Sequence, residues 1–224
     1  MRWLVEAAVA KGLWRRNRFS VEERVNAALA YMAGLSYREI AYVLGLVGAS
    51  HEAIRQWVLR LEGLAVGVRR RRRRAVAVDE TVLKLGGAWL YVWAAVDAFS
   101  REVLAIRASF QRMDLDAEAF LRIVLKTCED KPLILVDKGP WYPNALRRLR
   151  LRWRHEAFGL RNRVERWFRT LKARTRRFSN NFPVRRWRGA LERVEAWLRL
   201  FTLWYNWVRP HQTLGRPPSQ EGLT

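Results

Sequence analysis

From Ala75 onward the chain runs in short apolar stretches with polar residues at strand spacing. The stretches AVAVDETVLKL, AWLYVWAAVDAFS and REVLAIRASF follow one another closely, with GG at 86 and 87 and DAFSR at 97–101 between them. Apolar runs bounded by such turn residues predict a meander of three strands. Asp116 then caps a helical pattern reaching Cys128, with Phe120, Ile123, Val124 and Cys128, or Leu121 and Leu125, facing inward. KPLILVD reads as a fourth strand, PNALRRL as a short helix started by a proline, and RWRHEAF as a short fifth strand. Helical periodicity returns from Arg161 to Phe178 and again from Val184 to Val208. The expected class is α/β, a mixed sheet with flanking helices.

Residues 20–62 show only the helical period. Ser20 to Glu23 (SVEE) and Ser36 to Glu39 (SYRE) are both capping boxes, each opening an apolar-periodic segment. The second of these segments places Ile40, Val43 and Leu44 on one buried face. After a Gly-containing turn, Ser50 caps SHEAIRQWVLRLEG, whose inner face is Ile54, Trp57, Val58 and Leu61. Two short helices across such a turn form either an ordinary helical hairpin or a helix-turn-helix DNA reader. As a reader, Ser50, His51, Glu52, Arg55 and Gln56 face the major groove. The run Arg69, Arg70, Arg71, Arg72, Arg73, Arg74 follows. It divides the chain into a small all-α domain over 1–68, the candidate helix-turn-helix domain, an Arg-rich linker over 69–74 and an α/β domain over 75–224. Three antiparallel strands, helix, parallel strand, helix, strand, helix is the order of a ribonuclease H-like sheet.

Charge favours the reader over the hairpin. The 224 residues carry 43 Lys and Arg against 21 Asp and Glu, a formal net charge of +22, and the sequence pI is near 11.5. That excess points to a polyanionic partner, and the arginine run reads as a segment that also tracks DNA backbone. A 50% hydrophobic content with 12 Trp argues for a packed core and against a basic tail. The single cysteine, Cys128, excludes an internal disulfide and a Cys-rich zinc site, and His51, His155 and His211 lack metal-ligand spacing. Glu6 and Lys11 interrupt the N-terminal apolar stretch, and runs such as Ala88 to Val96 are too short to span a bilayer. A soluble, intracellular protein is expected.

Asp79 follows AVAV inside the first strand, and Asp137 ends the fourth. In a ribonuclease H-like sheet those strands are neighbours, so the two carboxylates sit side by side and repel unless a proton or a divalent cation intervenes. Glu165 lies off the buried stripe Val164, Trp167, Phe168 and Leu171, as the sole acid between Glu156 and Glu192. Alone it would read as a surface partner of Arg169, contributing about 0.3 kcal/mol. With two strand aspartates on a polyanion-binding scaffold it reads as a third metal ligand. Lys138, Arg169 and Lys172 are placed either to neutralise DNA phosphates or simply to solvate the surface. Trp141 and Tyr142 either stack on an unpaired base or pack over the short helix. Asp97 reads as structural, Asp114 and Asp116 as helix N-terminal acids, His211 as part of a C-terminal turn, and RRLRLRWR over 147–154 as an edge that binds DNA backbone.

Four blocks carry a family resemblance: VDET at 78–81, VDKGPWYPNAL at 136–146, GLRNRVERWFRTLKARTRRFSNNFP at 159–183 and YNWVRPHQTLGRPP at 205–218. They resemble the signature blocks of DDE transposases, most closely the short insertion-sequence transposases of family six. The resemblance implies that Asp79, Asp137 and Glu165 are the catalytic, metal-binding triad. It implies Mg²⁺, or Mn²⁺ in its place, in a two-metal phosphoryl transfer that cleaves DNA at terminal inverted repeats and joins the freed end to a target. It further implies double-stranded DNA as partner, no membrane, a homodimer or higher homo-oligomer on DNA, and a cytoplasmic, nucleoid-associated location in a prokaryote. A ribonuclease H-like nuclease or resolvase, or a DNA-binding regulator with a decayed site, are the alternative readings.

Overall fold

Strand β1 (Ala75–Leu85) is the spine of the sheet. Its first five residues are all buried, which is why AVAV is continuously apolar: a central strand covered on both faces has no solvent side. β2 (Ala88–Asp97) pairs antiparallel with β1, and β3 (Val103–Ser109) antiparallel with β2. On the other side β4 (Leu133–Val136) runs parallel to β1, and β5 (Trp153–His155) parallel to β4. The order is therefore β3-β2-β1-β4-β5, with the expected meander, fourth and fifth strands in place. This is a computed structural model, and it describes residues 2–14, 18–64 and 67–220; residues 1, 15–17, 65–66 and 221–224, which fall inside the expected domain ranges, lie outside the described residues.

Two helices cover one face of the sheet, α4 (Asp114–Leu125) and α5 (Tyr142–Arg148). Phe120, Leu121, Val124, Tyr142 and Leu146 bury against Val76, Val78, Trp93, Ile134 and Val136. On the opposite face Ala75, Ala98 and Leu135 pack with Leu133 and Leu160. Helix α6 (Asn162–Thr175) lies against β1 and β2, burying Val164, Trp167, Phe168 and Leu171, the stripe expected from its period. Helix α4 starts at Asp114, and the Asp116 carboxylate accepts the Met113 amide at 3.2 Å. Ile123, expected inward, is part-exposed on the outer side of that helix.

Two-residue strand β6 (Asn181–Phe182) escapes any periodic reading, yet it pairs parallel with the end of β1. Ser179 and Asn180 reach it through consecutive left-handed conformations (φ 58° and 53°), held by a 2.6 Å bond from Thr175 Oγ1 to Asn180 Oδ1. The FSNNF segment thus ties the end of α6 to the end of β1. Gly86, at φ 55°, turns the β1–β2 hairpin where a Cβ would stand 3.1 Å from Val184 and Trp187. Helix α7 (Ala190–Trp207) begins later than the expected Val184, because Gly189 adopts φ 69° immediately before it.

The N-terminal region holds α1 (Arg2–Ala10), α2 (Val21–Ala33) and α3 (His51–Leu61). Both capping boxes form: Glu23 N donates to Ser20 Oγ at 3.1 Å, and Glu39 N to Ser36 Oγ at 3.1 Å. The segment opened by Ser36 is a π-helical turn over Glu39–Val43, closed by Leu44 N donating to Glu39 O at 2.9 Å. The wider turn breaks the expected face: Ile40 is buried, but Val43 is 75% and Leu44 52% exposed, since positions three and four residues on no longer sit above Ile40. By contacts the chain divides into one unit of Met1–Val66 with Ala196–Pro217 and another of Gly67–Glu195 with Pro218–Thr224. The chain thus crosses between units at 66–67, inside 190–207 and at 217–218. No helix among the described residues is long and apolar enough to cross a membrane.

The arginine run is only partly the solvated linker that its sequence suggests. The Arg73 side chain is wholly buried and pairs with Asp97 at 3.0 Å and Glu102 at 2.9 Å. Arg71 pairs with the same Glu102 at 2.7 Å, and Arg70 Nε donates to the Cys128 carbonyl at 3.0 Å. These guanidiniums answer buried acids and the Cys128 carbonyl just past α4, so Arg73 cannot also track phosphate; Arg69, Arg70, Arg72 and Arg74 are exposed. Asp97 has the structural role expected of it, accepting Phe99 N at 2.9 Å and Ser100 N at 3.0 Å.

Glu62, just past α3, carries a measurable consequence. Burial pushes its carboxyl up to about 8, with Arg199 opposing the shift. A folded pKa above the unfolded one means that the native state holds an extra proton in between, so stability present at acid pH is lost as pH rises from about 4.5 to about 8. Thermal melts of the wild type should therefore fall from pH 5 to pH 8. Glu62→Gln should flatten that slope and melt above the wild type at pH 8; equal slopes would refute the assignment.

Candidate active site

The β1–β4 ladder pairs Ala75 with Leu133, Val76 with Ile134 and Ala77 with Leu135. Two residues further along each strand stand Asp79 and Asp137, so the parallel register carries both carboxylates to the same height and the same face. That face is the one α6 covers, and Glu165 lies in the first turn of α6. The three acids are therefore brought together by one register and one helix docking.

What joins them is a residue that sequence reasoning passed over. Arg161, only 7% exposed, ends the 3₁₀ turn Gly159–Arg161 immediately before α6. Its Nη2 donates to Asp79 Oδ2 at 2.9 Å and lies 3.7 Å from Asp137 Oδ2, while its Nη1 donates to Glu165 Oε1 at 2.5 Å. Counting four residues forward from Glu165 leads to Arg169 on the exposed side; counting four back leads to Arg161, the signal that would have found it. Burial pushes the Asp79 carboxyl up to about 7; Arg161 opposes the shift, and Glu80 and Asp137 add to it. For Arg161, burial works against the charged form, but the carboxylates of Asp79, Glu165 and Asp137 outweigh it and hold its pKa above the ordinary value.

The loop after β4 aims Asp137. Gly139 N donates to Asp137 Oδ1 at 2.8 Å, and His155 Nδ1 contacts the Asp137 carbonyl oxygen at 2.8 Å. Glycine is required there by close approach: a Cβ on Gly139 would stand 2.7 Å from the Trp141 ring and 3.0 Å from Asp137 Oδ1. Glu80, next to Asp79 but on the opposite face of β1, ties that loop to the strand. It accepts the Tyr142 hydroxyl at 2.6 Å and Arg112 Nη1 at 3.2 Å. Arg112 in turn lies 3.9 Å from the Trp141 ring centroid and 5.1 Å from that of Tyr91. Tyr142 is fully buried, so it packs and is not available to stack on a base.

The donor set has the chemistry of a divalent-ion site. Three carboxylates supply the hard oxygens Mg²⁺ takes, and a cation already sits among them, so their chemistry and charge fit. Among the described residues no three acid, His or Cys side chains stand close enough to hold one ion, and the guanidinium separates the carboxylates onto two nitrogens. Lys138, Arg169 and Lys172 are exposed. In the N-terminal unit, Ser50 Oγ accepts Ala53 N at 3.2 Å as the helix cap. Glu52 receives Arg55 at 2.7 Å and Gln56 at 3.0 Å, and His51 Nδ1 meets the Tyr42 hydroxyl at 2.9 Å. The His211 carbonyl and ring close a turn by accepting Leu214 N at 3.0 Å and Thr213 N at 3.3 Å.

A mixed sheet in this order with flanking helices is the fold of a ribonuclease H-like core. The chain belongs to the DDE-domain transposases of the insertion-sequence family six type, the family described as "DDE domain" matching residues 73–195. It is 39% identical over 205 residues to an uncharacterized protein of Methanocaldococcus jannaschii, covering 91% of this chain and 94% of that one. It is 27% identical over 112 residues to a Staphylococcus aureus transposase for insertion sequence-like element IS431mec, covering 47% of this chain and 50% of that protein. In fold it is similar to a chain of the simian T-cell lymphotropic virus intasome solved with PP2A regulatory subunit B56 gamma, with a TM-score of 0.52 at 18% identity, covering 81% of this chain and 70% of that one.

Proposed function

We propose that this protein binds the terminal inverted repeats of its own element and catalyses DNA strand cleavage followed by strand transfer. The observation that carries the reading is the convergence of Asp79, Asp137 and Glu165 on one cation, although each comes from a different element of the fold. Bound Mg²⁺, or Mn²⁺ in its place, would supply Lewis-acid stabilisation of charge at the attacked phosphorus. The three carboxylates would hold it. The Gly139 amide orients one of them, and the low exposure of Asp79 keeps bulk water from competing for its oxygens. Lys138, Arg169 and Lys172 supply positive charge for the flanking phosphates.

DNA binding is assigned to the N-terminal helices, where Glu52 pre-orients Arg55 and Gln56 as a rigid pair at the start of α3. The exposed Arg69, Arg70, Arg72 and Arg74 add sequence-independent contacts. Pairing two element ends calls for at least a homodimer on double-stranded DNA, in a prokaryotic cytoplasm at the nucleoid. The test uses the full chain, Mg²⁺ and a precut donor end with a free 3′-hydroxyl. Joined donor–target product is expected. Hydrolysed ends without any joined species would replace this reading with a nuclease that cuts only.

A further inference from the structure

We infer that Arg161 is an exchangeable counter-cation: it holds the three carboxylates together while divalent ions are absent, and it must withdraw for them to bind. The inference rests on the metal-dependent reading of the site just proposed and concerns how that site is regulated. The Arg161 side chain is 9% exposed, and its three ion-pair partners are Asp79, Asp137 and Glu165.

A guanidinium is a wide, planar fork whose terminal nitrogens are about 2.3 Å apart. Here Nη1 takes Glu165 while Nη2 takes Asp79 and leans towards Asp137, so the acids are assembled but spread over two nitrogens. A compact ion at about 2.0–2.1 Å from each oxygen needs them closer. Ion and guanidinium are like charges seeking the same oxygens, one of them on the buried Asp79, so occupancy by one opposes the other. Leaving the acids with neither is also costly, because Asp79 is buried and faces Asp137 across the ladder.

The position of Arg161 in the chain suits withdrawal. It ends a one-turn 3₁₀ segment entered through Gly159 at φ 83° and stands at the N-cap of α6. The segment is pinned on its other side by Glu156, whose Oε1 accepts Leu160 N at 2.7 Å. The side chain can therefore swing without unwinding the helix that carries Glu165.

The experiment compares metal-free, full-length wild type with Arg161→Ala, Arg161→Lys and, as an exposed control on the same helix, Arg166→Ala. Mn²⁺ is titrated and the free ion is read by its paramagnetic resonance signal, with thermal melts run alongside. Arg161→Ala should bind Mn²⁺ at least tenfold more tightly than wild type. It should melt lower than wild type without metal and gain more on Mn²⁺ addition. Arg161→Lys should fall between, and Arg166→Ala should match wild type. If Arg161→Ala binds Mn²⁺ no more tightly than wild type, or if the tightened binding survives Asp137→Asn, the inference is overturned.

Should Arg161→Ala not fold without metal, the wild type supplies the second test. The guanidinium ¹⁵Nε resonance of Arg161, assigned by its loss in Arg161→Lys, should shift as Mg²⁺ saturates the site. A resonance unmoved at saturation overturns the inference. The outcome is separable from that of the functional reading: competition for Mn²⁺ without strand transfer would defeat the function alone, and strand transfer without competition would defeat the counter-cation alone.

Discussion

Asp137→Asn is expected to lower strand transfer roughly a thousandfold or more, about 4 kcal/mol in the barrier at about 1.4 kcal/mol per tenfold, while DNA affinity stays within about twofold. Asparagine keeps the shape of the side chain and can still accept the Gly139 amide that orients Oδ1. The loop therefore keeps its conformation, secured also by the Glu80–Tyr142 bond behind it. What is lost is one anionic oxygen on the face shared with Asp79 and Glu165, and with it most of the attraction for a divalent ion. Higher Mg²⁺ should not restore the rate, and the circular dichroism spectrum should not change. A variant that still joins ends within tenfold of wild type would remove Asp137 from the chemistry and take the functional proposal with it.

Arg73→Ala should cost about 3–5 kcal/mol of stability, the largest effect expected of any arginine in the 69–74 run. Its side chain has no exposure, and removing it leaves Asp97 and Glu102 buried together, with Arg71 as the remaining partner of Glu102. Glu102 also accepts Ser219 Oγ at 2.7 Å, so the disturbance reaches the segment after Pro218. Arg72→Ala is the contrast: that side chain is 84% exposed and 3.8 Å from Asp130, so its loss should stay within about 0.5 kcal/mol. Urea unfolding separates the two. A midpoint for Arg73→Ala close to that of Arg72→Ala would show that the buried network is not holding the strand, and would return Arg73 to the set of DNA-contacting arginines.

The legible parts of this protein are those written in periodicity and in local chemistry. Strand spacing located the meander, and the stripe Val164, Trp167, Phe168 and Leu171 located α6, because one buried face imposes its repeat on consecutive residues. Asp79 and Asp137 stood out because a carboxylate at the end of an apolar strand is costly unless something answers it. The misread parts are those where periodicity has no purchase. Two-residue β6 has no period, and the π-turn at Glu39–Val43 changes the repeat from within. The arginine run looks uniform along the chain, although buried acids some 24 to 31 positions away claim two of its members.

The amino-acid order by itself therefore determined which strands and helices form, which acids have no structural excuse, and which family the blocks resemble, since each of these follows from neighbours along the chain. Only the tertiary structure decided that a buried arginine stands where the three acids meet, and that Glu80 and Tyr142 brace the loop from behind. Those contacts depend on the parallel register of β1 with β4 and on how α6 docks. Both are set by packing between residues tens of positions apart, and no local pattern encodes them.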